Sequence, residues 1–465
     1  MDEIIKWTAT QTAANIKAKT VSVTEVTKAH LARIKALEPG LRAVVEPLDE
    51  TALATARAMD ANPPAHPGPL FGLPITIKIN VDFQGLPNSN GIPALNHAPA
   101  SSDSPLVASL RADGAVPIGR TNTPEFSLRW FTSNPIYGVT INSVNKTLTP
   151  GGSSGGAASA VAAGIGVIAH GNDLGGSLRY PAYCCRLATL RPSMGRVPAF
   201  NPSAPAERGA TLQMMSVQGA IARNMADVRL AMRTLEKRSS LDPFWNTARD
   251  SGRARNKTLR VGVSVDPFGD GVAPEVEAAV DLAASVLVER GHQTIEITPP
   301  MATEAAIAWG QLLNAETEIL MKESMVQVGS PQVIDLLESY KTTFGVPDLK
   351  GFMQQQAMRL TIQRAWNLMF DDIDVLVMPV SAAEPFRLEQ DFVEPSTRRD
   401  IILAQRMMCI LNVLGLPAAT VPTGMNKGVP MGVQVVGAWR DDDLCMDVAE
   451  MIEASLGLDL SPVEP

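Results

Sequence analysis

The chain has 465 residues, a formal net charge of −8 and a 45% hydrophobic composition, enough for a sizeable buried core. It carries no basic block, which argues against nucleic acid as a partner, and no run of about 18 apolar residues that would mark a membrane span. Met1 to Trp7 lack the apolar core of a secretory leader, and Cys184, Cys185, Cys409 and Cys445 lack a disulfide pattern, so a reducing, cytoplasmic setting is expected.

Segments 10–17 and 23–37 read as amphipathic helices, the second capped by Ser22. A proline-rich link at 62–69 leads into Phe71-Gly72-Leu73-Pro74-Ile75-Thr76-Ile77-Lys78-Ile79-Asn80. Its alternation predicts a strand with Ile75, Ile77 and Ile79 on one face and Thr76 and Lys78 on the other. Residues 106–112 read as helix and 116–119 as strand. The most informative stretch then opens with Gly151-Gly152-Ser153-Ser154-Gly155-Gly156 and reaches Gly171-Asn172-Asp173-Leu174-Gly175-Gly176-Ser177-Leu178-Arg179. Within it, 157–163 is helix-compatible, 165–169 fits a buried strand and 171–176 reads as a tight turn, which leaves Ser177 just past the turn. N–H groups converging over 174–177 would form a pocket for an oxyanion, and a hydroxyl beside such donors is how acyl-transfer sites are built. Asp173 suits an Asx-type turn cap, and Arg179 an ion pair inside the fold. Further on, 259–265, 274–290 and 294–297 give a strand–helix–strand pattern, and 301–370 looks largely helical. Strands are expected at 375–379, 418–422 and 432–436, a closing helix at 442–456, and a frayed tail at 461–465.

The two Gly-Gly-Ser runs, 24 positions apart, and the continuation Gly-Gly-Ser-Leu-Arg-Tyr-Pro-Ala resemble the amidase signature family of serine hydrolases. Weaker matches are Gly119-Arg120-Thr121-Asn122-Thr123-Pro124-Glu125-Phe126 and Leu414-Gly415-Leu416-Pro417-Ala418. The resemblance implies an α/β amidase signature fold, a mixed twisted β-sheet covered by helices on both faces. It also implies one domain over 1–465, with N-terminal helices over 1–60, a catalytic core over 70–200 and a part over 240–460 that completes the sheet and cleft. The implied site is a Ser–cis-Ser–Lys triad: Ser177 as nucleophile, Ser153 as the bridging serine with a cis peptide, and Lys78 as base. Leu174, Gly175 and Gly176, with the N–H of Ser177, would hold the oxyanion, supported by Ser154, Asn172, Asp173 and Arg179. To act as a base Lys78 must be neutral, and burial among apolar groups lowers a lysine from its usual value of about 10.4. The implied reaction cleaves an amide C–N bond through a Ser177 acyl-enzyme and calls for no metal and no organic cofactor.

Other constellations carry less. Gly151 to Gly155 formally matches a nucleophile elbow, but no strand is expected before it; Ser143-Val144-Asn145-Lys146 sits in an Asn-rich loop without its partner motifs. His30, His66, His97, His170 and His292 lack ligand spacing, and His170 reads as a packed residue rather than a base. Against the family pattern, Asn172 replaces Thr or Ser and Ile79 replaces Asp. Arg186 stands in a usually glycine-rich segment, where it is expected to reshape packing behind the nucleophile. The resemblance implies a small-molecule amide, ester or carbamate (urethane) substrate, and a homodimer is left open. Trp130, Phe131, Tyr137, Met214, Met215, Phe352 and Met353, if they line the cleft, imply an apolar or aromatic acyl group. Two other functions compete. One is the glutaminase-type A subunit of a tRNA-dependent amidotransferase, whose usual Thr-Glu-Asn-Ser-Ala-Phe-Gly is replaced by Thr132-Ser133-Asn134-Pro135-Ile136-Tyr137-Gly138, with Tyr180 at a typical glutamine. The other is a non-catalytic binding protein on the same scaffold, against which the presence of Lys78, Ser153 and Ser177 counts.

Overall fold

Strand Pro74–Lys78 shows how the core is built. Ile75 and Ile77 alternate with Thr76 and Lys78 as expected, yet every residue is buried, because strands pair on both edges and helices cover both faces. The computed structural model describes residues 3–246, 248 and 258–465, so part of the 240–460 stretch lies outside the described residues. Its main sheet has 11 strands. From one edge they run Val44–Pro47, Val116–Thr121, Pro74–Lys78, Ile168–Asp173, Val217–Ala222 and Ala188–Arg191. The row continues through Ala418–Asn426, Val429–Gly437, Val375–Pro379, Arg260–Val263 and Gln293–Glu296. Pairing is parallel among the second to fourth strands and among the last three, and antiparallel elsewhere. Helices Gly155–Ala162, Met225–Leu235, Pro274–Glu289 and Asp442–Leu456 pack on this mixed sheet, the α/β architecture expected. Among the described residues no helix is long and apolar enough to cross a membrane, and the four cysteines are free and buried.

Local chemistry explains where the elements differ from expectation. Helix Val23–Leu41 starts at the expected Ser22 cap, which the structure extends to a capping box, with Ser22 N–H donating to Glu25 and Glu25 N–H to Ser22 Oγ. It overruns the expected end at 37 despite Pro39, because Leu41 is buried and the Glu38 carboxylate accepts from the N–H groups of Ala43 and Val44 at 2.9 and 2.8 Å. The strand expected at 165–169 is instead Ile168–Asp173: Gly164 and Gly166 take φ of +79° and +71°, which keeps the preceding backbone from extending. Gly171 therefore lies in the strand rather than in a turn. A Cβ there would stand 2.8 Å from Ser154 Oγ, so the missing side chain permits a close approach and does not mark a bend. The turn begins at Leu174. Segment 301–370 is helical in pieces, Ala302–Glu316, Lys322–Val328, Pro331–Phe344 and Leu349–Asp372, with a π turn at Thr317–Met321 after the first. Strands Ala188–Arg191 and Val217–Ala222 and helix Asp49–Ala61 had no separate expectation.

Candidate active site

Lys78 ends its strand with its side chain in the core, and its Nζ has three oxygen partners: Ser153 Oγ at 2.7 Å, Asn172 Oδ1 at 2.8 Å and Ser154 Oγ at 3.1 Å. The residue is fully buried, and that burial holds its pKa well below the ordinary lysine value, with the Asp173 charge opposing the shift. The three partners are not equivalent. Asn172 Oδ1 only accepts, and the Ser154 hydroxyl lies 3.5 Å from the Asn172 carbonyl, to which it can donate its hydrogen. A neutral amine has two N–H groups for Asn172 Oδ1 and Ser154 Oγ, which leaves its lone pair facing the Ser153 hydroxyl.

The loop carrying Ser153 is fixed from the neighbouring segment. The Gly152–Ser153 peptide is cis. Thr132 Oγ1 donates to the Gly151 carbonyl and Thr123 Oγ1 to the Ser153 carbonyl, both at 2.9 Å. At Gly152 a Cβ would collide at 2.5 Å with the backbone of Arg129 and Phe131, so the motif needs glycine for close packing. No strand leads into Ser153, so the elbow match is formal only, and Ser143 of the Ser-x-x-Lys match donates to the Ser159 carbonyl instead of meeting Lys146.

Asp173 and Arg179 organise the turn that carries Ser177. Their side chains are fully buried and paired twice, Nε to Oδ2 and Nη2 to Oδ1, each at 3.0 Å. Asp173 also accepts from the Gly176 N–H at 2.8 Å, the Leu178 N–H at 3.2 Å and Asn412 Nδ2 at 2.9 Å, and the Arg179 charge holds it below the usual carboxylate range against the opposing effect of burial. This is the turn cap and internal ion pair expected from the sequence. It also corrects one expectation: the Gly176 N–H is turned to Asp173 and not to a pocket. Among the described residues the N–H groups of Leu174, Gly175 and Ser177 have no partner. Ser177 itself is buried, 8% exposed, and Leu174 is the most open residue of the turn. Because Arg179 holds a buried carboxylate, Arg179→Met should lower stability by about 3–5 kcal/mol. Chemical denaturation would check this; a loss below about 1 kcal/mol would mean that Asp173 finds other cations.

Several expected residues fall elsewhere. Arg186 takes φ of +57°, the backbone a glycine would supply, and its guanidinium reaches the Ser461 carbonyl at 3.4 Å, so it does not reshape the packing behind Ser177. Ile79 is buried, and its N–H donates to Thr121. His170 is a packed residue: its Nε2 meets Gln218 Oε1 at 2.9 Å, and burial pushes it down to about 4. Of the expected cleft lining, Phe131 and Met215 are core, Tyr137 donates to Glu46, and Met353 is exposed. The sequence reading missed Asn80, which exchanges amide hydrogen bonds with Asn172 and donates to Ser127 Oγ. It also had no expectation for Phe126 and Leu128, which flank Ser127 and, with Met321, pack partly buried against Met325, Val333 and Leu337. For Asn412 the faint signal is its place two residues before Leu414-Gly415-Leu416.

Comparison with known proteins identifies the family. The model of the Amidase family matches residues 25–446. An indoleacetamide hydrolase of Bradyrhizobium diazoefficiens is 41% identical over 97% of this chain and 87% of its own length. The A subunit of the glutamyl-tRNA(Gln) amidotransferase from Lysinibacillus sphaericus is 30% identical over 96% of this chain and 95% of its length. Among solved structures, a bacterial aryl acylamidase of the amidase signature family superposes with a TM-score of 0.83 at 26% identity, covering 98% of this chain and 97% of the other. This chain is thus an amide-hydrolysing enzyme and belongs to the amidase signature family.

Proposed function

We propose that the enzyme hydrolyses small primary amides of arylacetic type through a Ser177 acyl-enzyme. The observation that carries the reading is the fully buried Lys78 with its Nζ 2.7 Å from Ser153 Oγ. In this reading neutral Lys78 takes the proton of Ser153 while Ser153 takes that of Ser177. The Ser177 oxygen bonds to the substrate carbonyl carbon, and the electron pair displaced onto oxygen is received by the N–H groups of Leu174, Gly175 and Ser177. The proton returns through Ser153 to the nitrogen, the C–N bond breaks and ammonia leaves. Water repeats the sequence and releases the carboxylic acid. Ester and carbamate carbonyls enter as secondary substrates, and the four free cysteines suit a reducing cytoplasm.

The arylacetic class rests on the relative named an indoleacetamide hydrolase. Burying one aromatic ring contributes about 1.5–3 kcal/mol. Indole-3-acetamide and phenylacetamide should therefore exceed acetamide in kcat/KM by about 10–150-fold in a panel read by ammonia release. Acetamide turned over as fast as the aryl amides would contradict the class, and turnover of glutamine alone would favour the amidotransferase reading.

A further inference from the structure

Two indoles grip the turn that carries Ser177. Trp309, on helix Ala302–Glu316, donates its Nε1–H to the Leu174 carbonyl at 2.9 Å; Trp130, in the segment before the Ser153 loop, donates to the Gly175 carbonyl at 2.8 Å. These are consecutive carbonyls of one turn. Both rings are almost wholly buried and belong to one aromatic cluster, their centroids 6.4 Å apart and each set edge-on to Tyr340 at 5.9 and 6.1 Å. Tyr340 is itself tied by its hydroxyl to the Leu128 carbonyl at 3.0 Å. A Cβ on Gly175 would stand 2.7 Å from Trp309 Cζ2, so the indole lies directly against the turn's backbone. A buried indole N–H usually finds some acceptor, but two of them on adjacent peptides of a turn whose Leu174, Gly175 and Ser177 N–H groups have no partner among the described residues is a more specific arrangement.

Peptide planarity gives the contact its consequence. In a trans peptide the carbonyl of one residue and the N–H of the next point in opposite directions. Trp309, by holding the Leu174 carbonyl, therefore aims the Gly175 N–H the other way, and that N–H has no partner among the described residues. Trp130, by holding the Gly175 carbonyl, aims the Gly176 N–H at Asp173 Oδ1, where it is found at 2.8 Å. A donor on the carbonyl also polarises the peptide and strengthens its N–H as a donor. We infer that Trp309 and Trp130 are positioning residues for the oxyanion-binding turn, Trp309 acting directly on a donor and Trp130 anchoring the adjacent peptide. This rests on the reading of 174–177 as the oxyanion site.

The test removes the N–H and keeps a ring. Trp309→Phe should lower kcat for phenylacetamide by about 10–100-fold with KM within about threefold, a loss smaller than that of an oxyanion donor itself. Affinity for phenylboronic acid, which forms a tetrahedral adduct on the active serine, should fall by the same factor as kcat. Trp130→Phe should show the same split with a smaller loss. Should Trp309→Phe fold poorly, the benzothienyl isostere at 309 keeps the volume and lacks only the N–H. A purely structural role would lower the melting temperature and leave kcat and boronate affinity of the folded protein unchanged, and that result in the isostere overturns the inference. Fluorophosphonate labelling of the wild type separates the two claims: with Ser177 labelled and kcat unaffected in the variants, the clamp alone fails, whereas an unlabelled Ser177 removes the reading beneath it.

Discussion

Ser177→Ala is expected to abolish turnover of every amide, by at least about 10⁴-fold in kcat, while leaving the fold intact. The size of the loss follows from the role assigned to the hydroxyl: without it no C–O bond forms, and Lys78 and Ser153 have no proton to pass. The intact fold follows from the structure. Ser177 Oγ makes no hydrogen bond among the described residues, and the turn is held by Asp173, Arg179 and Asn412 through other atoms. The stability change should thus stay under about 0.5 kcal/mol. Steady-state kinetics with thermal unfolding of the same sample would read both, and a variant retaining a tenth of the activity would remove Ser177 from the nucleophile role.

The second large effect concerns the base. Lys78→Ala should lower amide hydrolysis by about 10³–10⁴-fold and hydrolysis of the matching ester less, since an amine leaving group needs a proton and an alkoxide needs it less. Active enzyme needs the unprotonated amine. Because burial lowers the Lys78 pKa, the wild-type rate should rise as pH climbs through that lowered value and flatten above it. Linkage has the same sign: between the folded and unfolded pKa of Lys78 the unfolded chain binds the extra proton, so this residue's contribution to stability increases with pH. Burial pushes His170 down to about 4, so it is neutral near neutral pH. His170→Ala, in the protein that remains folded, should keep amide turnover within about threefold. Equal damage from the two substitutions, with a midpoint near that of histidine, would overturn the Ser–Ser–Lys assignment.

What the sequence made legible was local. The alternation around Lys78, the Ser22 cap and the Gly-Gly-Ser runs each declare themselves within ten residues, and the strand Val375–Pro379 and helix Asp442–Leu456 stand where expected. Errors arose where one residue type serves two ends. Gly171 reads as a turn but is a strand glycine under Ser154, and Arg186 reads as an intruder although its backbone takes the glycine conformation. The least legible parts are supplied from far along the chain. Trp309 meets Leu174 from 135 residues away and Asn412 meets Asp173 from 239, and neither carries a motif of its own. Their partners are decided by how the helices settle on the sheet, which no short pattern encodes.

The central claim is that the substrate's acyl group passes through Ser177. Mixing the enzyme with 4-nitrophenyl phenylacetate, quenching in acid within the first turnover and mapping peptides by mass should place one phenylacetyl group on Ser177 and none on the Ser177→Ala variant. A phenylacetyl group on Ser153 or on any other residue, with Ser177 unmodified, would contradict it.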